Sequence, residues 1–197
     1  MPSAISVRAD IVDIRSARSS APDHIFVDTN VWFWYAYGRS ILAAPEWRRR
    51  QIAFYSAFLQ KVIQSRSELY HSGLQLAELF HQIEKAELDD YNYRTNSQLK
   101  LKDFRHEQPT ERQQVVDECQ MAWAEVTKVS KPIDCIIEAT MTEAALSRFS
   151  IQPLDGYDIF FVESLIRSGV TTNVLTDDGD FATVPGITVY TANDRVI

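Results

Sequence analysis

Short apolar segments alternate with longer helical patterns along most of this chain, and that alternation narrows the folds it can adopt. In HIFVDTNVWFWYAYG, residues 24–38, an apolar strand runs up to Asp28 and a helical pattern begins directly after it. Further strands are predicted at 69–71, 173–175 and 187–190, with helical patterns between them. Strands that alternate with helices predict an α/β fold with a mostly parallel sheet. In such folds ligands bind at the carboxyl ends of the strands.

One domain accounts for most of the 197 residues, a length that suits a single folded unit. We predict an N-terminal arm at residues 1–22, whose apolar residues suit either a helix or an edge strand once docked. A single domain follows at residues 23–197. Within it, the polar stretch 89–110 holds few apolar residues and is predicted to be an insertion or a mobile loop.

Charge and composition restrict the classes of partner. The formal net charge of −7 opposes long-range approach to phosphates, so a nucleic acid would have to be bound at a local site. We expect no membrane partner and, by default, a cytoplasmic protein, because no segment reads as a membrane span or an apolar leader. Cys119 and Cys135 fit no CxxC pattern, and we expect them to be free thiols.

Acidic residues follow the predicted strand ends or lie early in the next helices. They are Asp28 after the first strand, Glu78 in GLQLAELFHQIEK, Asp158 in GYDIFFVESLIRSG, and Asp177, Asp178 and Asp180 in NVLTDDGDF. Right-handed crossovers bring strand ends and the N-termini of the following helices to one edge of a sheet. We therefore expect these carboxylates to converge.

Each acid also has an ordinary structural explanation. Asp28 and Asp158 suit helix N-caps, and Glu78 lies opposite the apolar stripe of its helix, as on a solvated face. The acids of TDDGD surround a glycine, as in an ordinary turn. These alternatives stay open for each residue taken alone, and only the joint placement indicates a functional site.

A cluster of carboxylates predicts a divalent metal site, because mutual repulsion would otherwise raise the pKa of some of them. A bound cation reverses that effect, and ligands that are all oxygen favour hard ions such as Mg²⁺ or Mn²⁺. Two ions about 3.5–4 Å apart would activate a water and stabilise the leaving oxygen of a phosphodiester. Metal-assisted phosphodiester hydrolysis is one chemistry that such a site supports.

Four sequence motifs resemble those of PIN-domain ribonucleases and, within that family, of VapC-type toxins. They are FVDTNVWF at 26–33, LAELF at 76–80, YDIFFVESL at 157–165 and VLTDDGDF at 174–181. The motifs stand in the family's order and span most of the chain from residue 25 onward. The resemblance implies a three-layer α/β/α sandwich around a parallel sheet, and a Mg²⁺- or Mn²⁺-dependent endonuclease acting on single-stranded or structured RNA.

The same resemblance implies which residues form the site. It assigns the catalytic and metal-binding carboxylates to Asp28, Glu78, Asp158 and Asp178, with Asp180 as a further metal ligand or a group that holds water. We expect Asp28 to be the central ligand, completed by Asp158 and Asp178. Glu78 is expected to bind a second ion or to orient the attacking water.

Neighbouring polar residues are candidates for holding these carboxylates. Thr29, Asn30 and Thr176 suit hydrogen bonds that fix carboxylate orientation, although they equally suit caps and turns. Asp177 occupies a position that varies in the family, so it ranks below Asp178.

Toxin members of the family form dimers and are silenced by an antitoxin that covers the acidic pocket. RNA, a cognate antitoxin and a second copy of the chain are therefore the expected partners. The arm and the 89–110 stretch depart from the compact toxins. Two alternatives stay open, a housekeeping RNA-processing nuclease and a catalytically silent PIN-like scaffold that binds RNA or a protein. A haloacid-dehalogenase-like phosphatase is disfavoured, because that chemistry needs a second Asp where Asn30 stands.

Two other runs have both functional and structural explanations. Trp47-Arg48-Arg49-Arg50 suits RNA phosphates beside a stacking ring, but a solvated basic helix face is the simpler explanation. Similarly weak candidates for binding RNA phosphates lie in the polar stretch, at Lys100, Lys102 and Arg105. The aromatic run 32–37 is too dense for one core, and we expect part of it to reach an interface, with core packing the commoner role of each ring.

Overall fold

The chain forms a single β-sheet in the computed structural model, which describes residues 5–197 apart from the side chains of 42 and 43. The strands are β1 (Asp10–Asp13), β2 (His24–Val27), β3 (Glu68–Ser72), β4 (Ser130–Ile133), β5 (Asn173–Leu175) and β6 (Thr188–Thr191). They lie in the order β1-β6-β5-β2-β3-β4, and each neighbouring pair is parallel. The predicted α/β class with a parallel sheet is confirmed.

Helices connect the strands. They are α1 (Thr29–Ala36), α2 (Arg39–Ala43), α3 (Glu46–Gln64), α4 (Leu74–Thr95), α5 (Leu101–Glu107), α6 (Pro109–Val129), α7 (Ala139–Phe149) and α8 (Gly156–Ser168), with a 3₁₀ helix at Gly179–Thr183. Within residues 5–197, none of the helices combines the length and the apolar character needed to cross a membrane.

The strands bury apolar side chains on both faces of the sheet. Ile25 and Val27 of β2 belong to a core built with α1, α3, α4, α5 and α6. Phe26 between them belongs to a second core with α8, where its ring centre lies 5.6 Å from that of Phe161. Successive side chains of a strand point to opposite faces, so a continuous apolar strand has helices on both sides. The fold is the expected three-layer α/β/α sandwich.

The chain changes direction across the sheet at β2 and β5. From β2 the strands β3 and β4 follow on one side, whereas β5 and β6 lie on the other side. The segments that leave the carboxyl ends of β2 and β5 therefore diverge and leave a crevice between them. In open α/β sheets this switch point is the usual place for a ligand.

Part of the predicted N-terminal arm, Asp10–Asp13, belongs to the sheet. Its edge-strand alternative is what the structure shows, because β1 pairs with β6 from Asp10 to Asp13. Arg15 fastens the following turn, with Nε 2.8 Å from Asp13 Oδ1 and Nη1 2.5 Å from Asp194 Oδ1. Residues 1–4 of the predicted arm lie outside the described residues.

Of the two alternatives predicted for residues 89–110, the mobile loop is wrong, and the insertion stays a prediction. Helix α4 continues to Thr95, and α5 and the start of α6 occupy most of the remainder. Asn92 holds the short link between α4 and α5, since its side chain donates to Leu99 O and accepts from Leu99 N, both at 3.0 Å. Phe104 of α5 is fully buried. One buried ring docks a segment whose other side chains are largely solvated, which explains why its composition resembles that of a loop.

Phe104→Ala tests whether this segment is part of the folded core. We expect the free energy of unfolding to fall by about 3 kcal/mol or more, as for other buried phenylalanines. Urea unfolding followed by circular dichroism measures it. Tyr93→Ala, at an 88% exposed position on α4, is the control and should change stability little. A Phe104→Ala protein as stable as the control would contradict this packing.

Candidate functional site

Asp28 stands at the carboxyl end of β2 and is almost fully buried, with 3% exposure. Its backbone N–H continues the sheet by donating to Leu175 O at 3.0 Å. Its carboxylate accepts from Thr29 N at 2.6 Å, and so caps α1, as the structural alternative expected. Two side chains donate to its other oxygen, Asn30 Nδ2 at 2.5 Å and Thr176 Oγ1 at 2.6 Å. The Asp28 carboxylate is therefore held in one orientation from three directions.

Thr29 links Asp28 to the helix that carries Glu78. Its hydroxyl donates to Glu78 Oε2 at 2.5 Å, across the contact between α1 and α4. Glu78 is half-buried, so the alternative of a solvated helix face does not describe it. The sequence Asp28-Thr29-Asn30 thus positions two of the predicted site carboxylates.

Asp158 lies in the first turn of α8 and is buried, with 5% exposure. The capping alternative is wrong for this residue, because Asp155 is the N-cap. Asp155 Oδ1 accepts from Tyr157 N at 2.8 Å and from Asp158 N at 3.0 Å. Among the described residues, no hydrogen bond reaches the Asp158 carboxylate. Asp155 was missed from the sequence, although an Asp just before the first helical residue is the ordinary signal for a cap.

The TDDGD turn after β5 brings Asp178 and Asp180 to the same edge. Asp178 N donates to Thr176 Oγ1 at 2.8 Å, and Asp178 Oδ1 accepts from Asp180 N at 2.8 Å, which starts the 3₁₀ helix. Asp178 therefore forms the turn, as its structural explanation predicted. Gly179 lies close to the N-terminal segment here, and a Cβ at this position would lie 2.7 Å from Ile5 Cδ1, which would have to move.

Asp177 uses its carboxylate elsewhere. It accepts from Arg48 Nη1 at 2.7 Å, Gln51 Nε2 at 2.5 Å and Tyr55 Oη at 2.8 Å, all from α3. These hydrogen bonds occupy the Asp177 carboxylate, which agrees with the prediction that Asp177 is a weaker candidate for the site than Asp178. The three partners lie more than a hundred residues earlier in the chain, and no local motif pairs them with Asp177.

The carboxylates that the sequence predicted as site residues are close enough to perturb one another. Burial raises the pKa of Asp28 well above its ordinary range, and the negative charges of Glu78 and Asp178 raise it further, against the hydrogen bonds from Thr176 and Thr29. Burial also raises the pKa of Asp158, and Asp28 adds most to that effect among its acidic neighbours. Asp28, Glu78, Asp158 and Asp178 therefore lie near one another at one edge of the sheet, and Asp180 lies beside Asp178.

Asp155 belongs to this group as well. After burial, its negative charge is the largest repulsion that raises the pKa of Glu78. It also contributes to the raised pKa of Asp158 and of Asp180. We call Asp28, Glu78, Asp155, Asp158, Asp178 and Asp180 the acidic cluster.

Oxygen donors of this kind suit a hard divalent cation. Among residues 5–197, no three acidic, histidine or cysteine side chains already stand in the close arrangement of a complete ligand set. The buried Asp158 carboxylate, with no donor from the described part of the chain, fits a cation better than it fits the protein around it. Buried charges without a partner are costly, and a cation at this point would relieve that cost.

Asp158→Asn tests whether the acidic cluster is strained without metal. The pKa of Asp158 is higher in the folded protein than the ordinary value of about 3.9 in an unfolded chain, so the folded state binds this proton more tightly. The Asp158 carboxyl therefore subtracts stability as the pH rises above about 4. In EDTA at pH 7 the variant should be more stable than wild type, by about 1.4 kcal/mol for each pH unit between the unfolded pKa and pH 7, because the folded-state pKa of Asp158 is raised to about 10.

The gain should disappear near pH 3, where both states hold the proton in the wild type. Urea unfolding at several pH values measures it, with Asp23→Asn at an exposed position as the matched control. A destabilised Asp158→Asn protein at pH 7 would contradict the prediction.

Comparison of the chain with protein-family models and with curated proteins gives no match. The likeness to PIN domains therefore depends on the four motifs and on where the fold places their carboxylates.

Proposed function

We propose that this protein is a metal-dependent endoribonuclease of the PIN type that hydrolyses RNA phosphodiester bonds, with the cytoplasm as the expected compartment. The observation that supports it most is the meeting of Asp28, Glu78, Asp158 and Asp178 at the carboxyl ends of β2 and β5. These residues come from four separate segments, and each is the residue that its PIN-like motif predicts to be catalytic. RNA as the substrate follows from the resemblance alone.

Asp28, Asp158 and Asp178 would hold Mg²⁺ or Mn²⁺, with Glu78 and Asp180 as further ligands. When bound, such an ion supplies an activated water and offsets charge on the phosphodiester. Thr176 and Asn30 fix the Asp28 carboxylate, and Thr29 fixes Glu78 through the 2.5 Å hydrogen bond to Oε2. These donors keep the carboxylates in place before substrate arrives, which lowers the cost of ordering the site during the reaction.

A catalytically silent scaffold is the weaker alternative. Burial of like charges lowers the stability of the folded chain, and a scaffold would gain nothing from keeping Asp158 buried and without a hydrogen bond. Replacement of Asp158 by a neutral residue would relieve the repulsion without altering the fold. The presence of all four acids in this arrangement therefore favours an enzyme.

We further propose that the nuclease is the toxin of a type II toxin–antitoxin pair and that it forms a homodimer. Exposed apolar side chains on α7 support a protein interface. Leu146 and Phe149 lie one helical turn apart and are 71% and 61% exposed, and Ile151 follows them at 73%. Apolar residues grouped in this way on a surface are typical of interaction sites, and a second copy is the partner to which we assign this surface.

The purified protein should cleave RNA in the presence of Mn²⁺ or Mg²⁺ and stop when EDTA is added. Asp28→Asn should lower the cleavage rate by about 10³-fold or more, because the variant loses the central ligand. Gel analysis of a labelled RNA measures the rate. Circular dichroism checks that the variant folds, and Asp23→Asn is the charge-matched control.

Metal binding should be lost together with activity. Mn²⁺ should raise the melting temperature of the wild type and leave that of Asp28→Asn almost unchanged. Cleavage in EDTA, or full activity of Asp28→Asn, would contradict the proposal. Growth arrest on induced expression of the wild type, absent with Asp28→Asn, would favour a toxin, and harmless expression of an active enzyme would favour a housekeeping nuclease.

Phe149→Glu tests the homodimer. A charge in the middle of an apolar interface should increase the dimer dissociation constant by at least about tenfold, as expected when a charge is buried without a partner. Sedimentation analysis measures the mass across a concentration series, with Tyr93→Glu as the control at an exposed aromatic elsewhere. A monomeric wild type, or an unchanged dimer in Phe149→Glu, would contradict the assignment.

A further inference from the structure

An open cleft of about 760 Å³ borders the acidic cluster. Its lining includes Asn30, which holds Asp28, and Asp178 of the cluster itself. The remaining walls come from α1, from the first turns of α3 and from the segment after β6. The cleft therefore leads directly to the point where we place the reaction.

Trp47 is the most exposed ring of this cleft, with 64% of its surface accessible. The guanidinium carbon of Arg48 lies 4.9 Å from the centre of the Trp47 ring and 5.8 Å from that of Trp34. Asp177 holds the same guanidinium through Nη1 at 2.7 Å. Trp47 is thus positioned beside a fixed cation while most of its surface stays open, as in rings on which nucleic-acid bases stack.

Arginines supply positive charge to the cleft, and acidic side chains pair with three of them. Arg15, Arg48, Arg50 and Arg195 line it, against Asp177, Asp178 and Asp194. Arg195 is exposed and lies close enough to Asp180 to oppose the rise in that carboxyl's pKa. Arg50 is exposed, and within the part of the chain that the structure describes its ion pair is with the exposed Glu46 of its own helix. A phosphate would readily displace a surface pair of this kind, because exposed ion pairs are weak.

The three consecutive arginines of α3 differ in whether they line the cleft. Arg48 and Arg50 line it, whereas Arg49 between them does not. On a solvated basic helix face the arginines would need no fixed positions. Arg48, in contrast, is held by Asp177 and by two indole rings. The open, charged lining also fits a nucleotide better than an apolar ligand.

We propose that this cleft binds an unpaired nucleotide of the substrate next to the bond to be cut, with its base stacked on Trp47 and its phosphate at Arg50 and Arg195. The assignment rests on the proposed nuclease function and adds a substrate requirement. A base can reach the face of Trp47 only when it is unstacked, so single-stranded RNA should bind and a perfect duplex should not. Arg48 acts as a positioning residue for Trp47.

Binding can be measured without catalysis. In EDTA at low salt, fluorescence anisotropy of a labelled oligouridylate reports its dissociation constant with the wild type. Trp47→Ala should weaken binding roughly tenfold, in line with the loss of one stacked base, whereas Trp47→Phe should keep most of the affinity. Tyr93→Ala removes an exposed ring outside the cleft and should bind as the wild type does.

A second set of variants separates local contacts from net charge. Arg50→Ala and Arg195→Ala should weaken binding and each should lower the salt dependence by about one unit of slope. Arg49→Ala changes the net charge equally and should have a clearly smaller effect. A duplex of the same length should bind weakly to every variant.

Each result supports or overturns the cleft assignment. Equal affinity of Trp47→Ala and wild type, equal effects of Arg49 and Arg50, or no binding by the wild type would overturn it. Binding that depends on Trp47 in a protein that never cleaves RNA with Mn²⁺ would leave the cleft assigned and reject the nuclease. Cleavage of RNA that does not depend on Trp47 would keep the nuclease assignment and reject the cleft assignment. Trp47→Phe keeps an aromatic ring at this position. If it binds the RNA and its melting curve is intact, weaker binding by Trp47→Ala reflects the loss of stacking and not the loss of folding.

Discussion

Repulsion among buried carboxylates is the constraint on which the rest of this structure depends. The acidic cluster gathers charges at one sheet edge, where Asp28 and Asp158 are shielded from water, and burial raises the pKa of both. The fold opposes this repulsion where it can, with donors from Thr29, Asn30 and Thr176. It offers none from the described residues to the Asp158 carboxylate. The arrangement is costly for an apoprotein, and the divalent cation that we propose would relieve that cost.

The topology of the sheet creates that arrangement. Asp28 follows β2, and the TDDGD turn follows β5, its neighbour in the sheet. Helices α4 and α8 then direct Glu78 and Asp158 toward the same crevice. Because the chain leaves the two central strands in opposite directions, the crevice stays open to a ligand. Beside it, the Trp47 cleft provides positive charge in a chain whose formal net charge is −7. A local basic surface next to an acidic centre would let an acidic protein bind a polyanion at one place.

Local sequence patterns were sufficient to predict the class of the fold and the convergence of the acids, because strand ends, helix starts and right-handed crossovers follow from short-range chemistry. They were insufficient where a distant partner decides a residue's environment. Phe104 is the fully buried ring that docks a segment with the composition of a loop, and Asp177 is anchored by a helix more than a hundred residues earlier. Asp155 was overlooked because its neighbour Asp158 matched a motif, although its capping position was readable. The sequence alone does not distinguish Glu78 from a surface residue, because its hydrogen-bond partner Thr29 lies in a distant segment.

Anomalous scattering from crystals soaked in Mn²⁺ would show whether the acidic cluster binds a hard divalent cation, as we propose. We expect a strong anomalous peak within coordination distance of carboxylate oxygens of Asp28 and of Asp158 or Asp178, at about 2.0–2.2 Å as is typical of small hard cations. The same soak of Asp28→Asn crystals should give no peak there. A well-ordered wild-type crystal with Mn²⁺ bound only elsewhere, or with the cluster lacking any peak, would contradict the account.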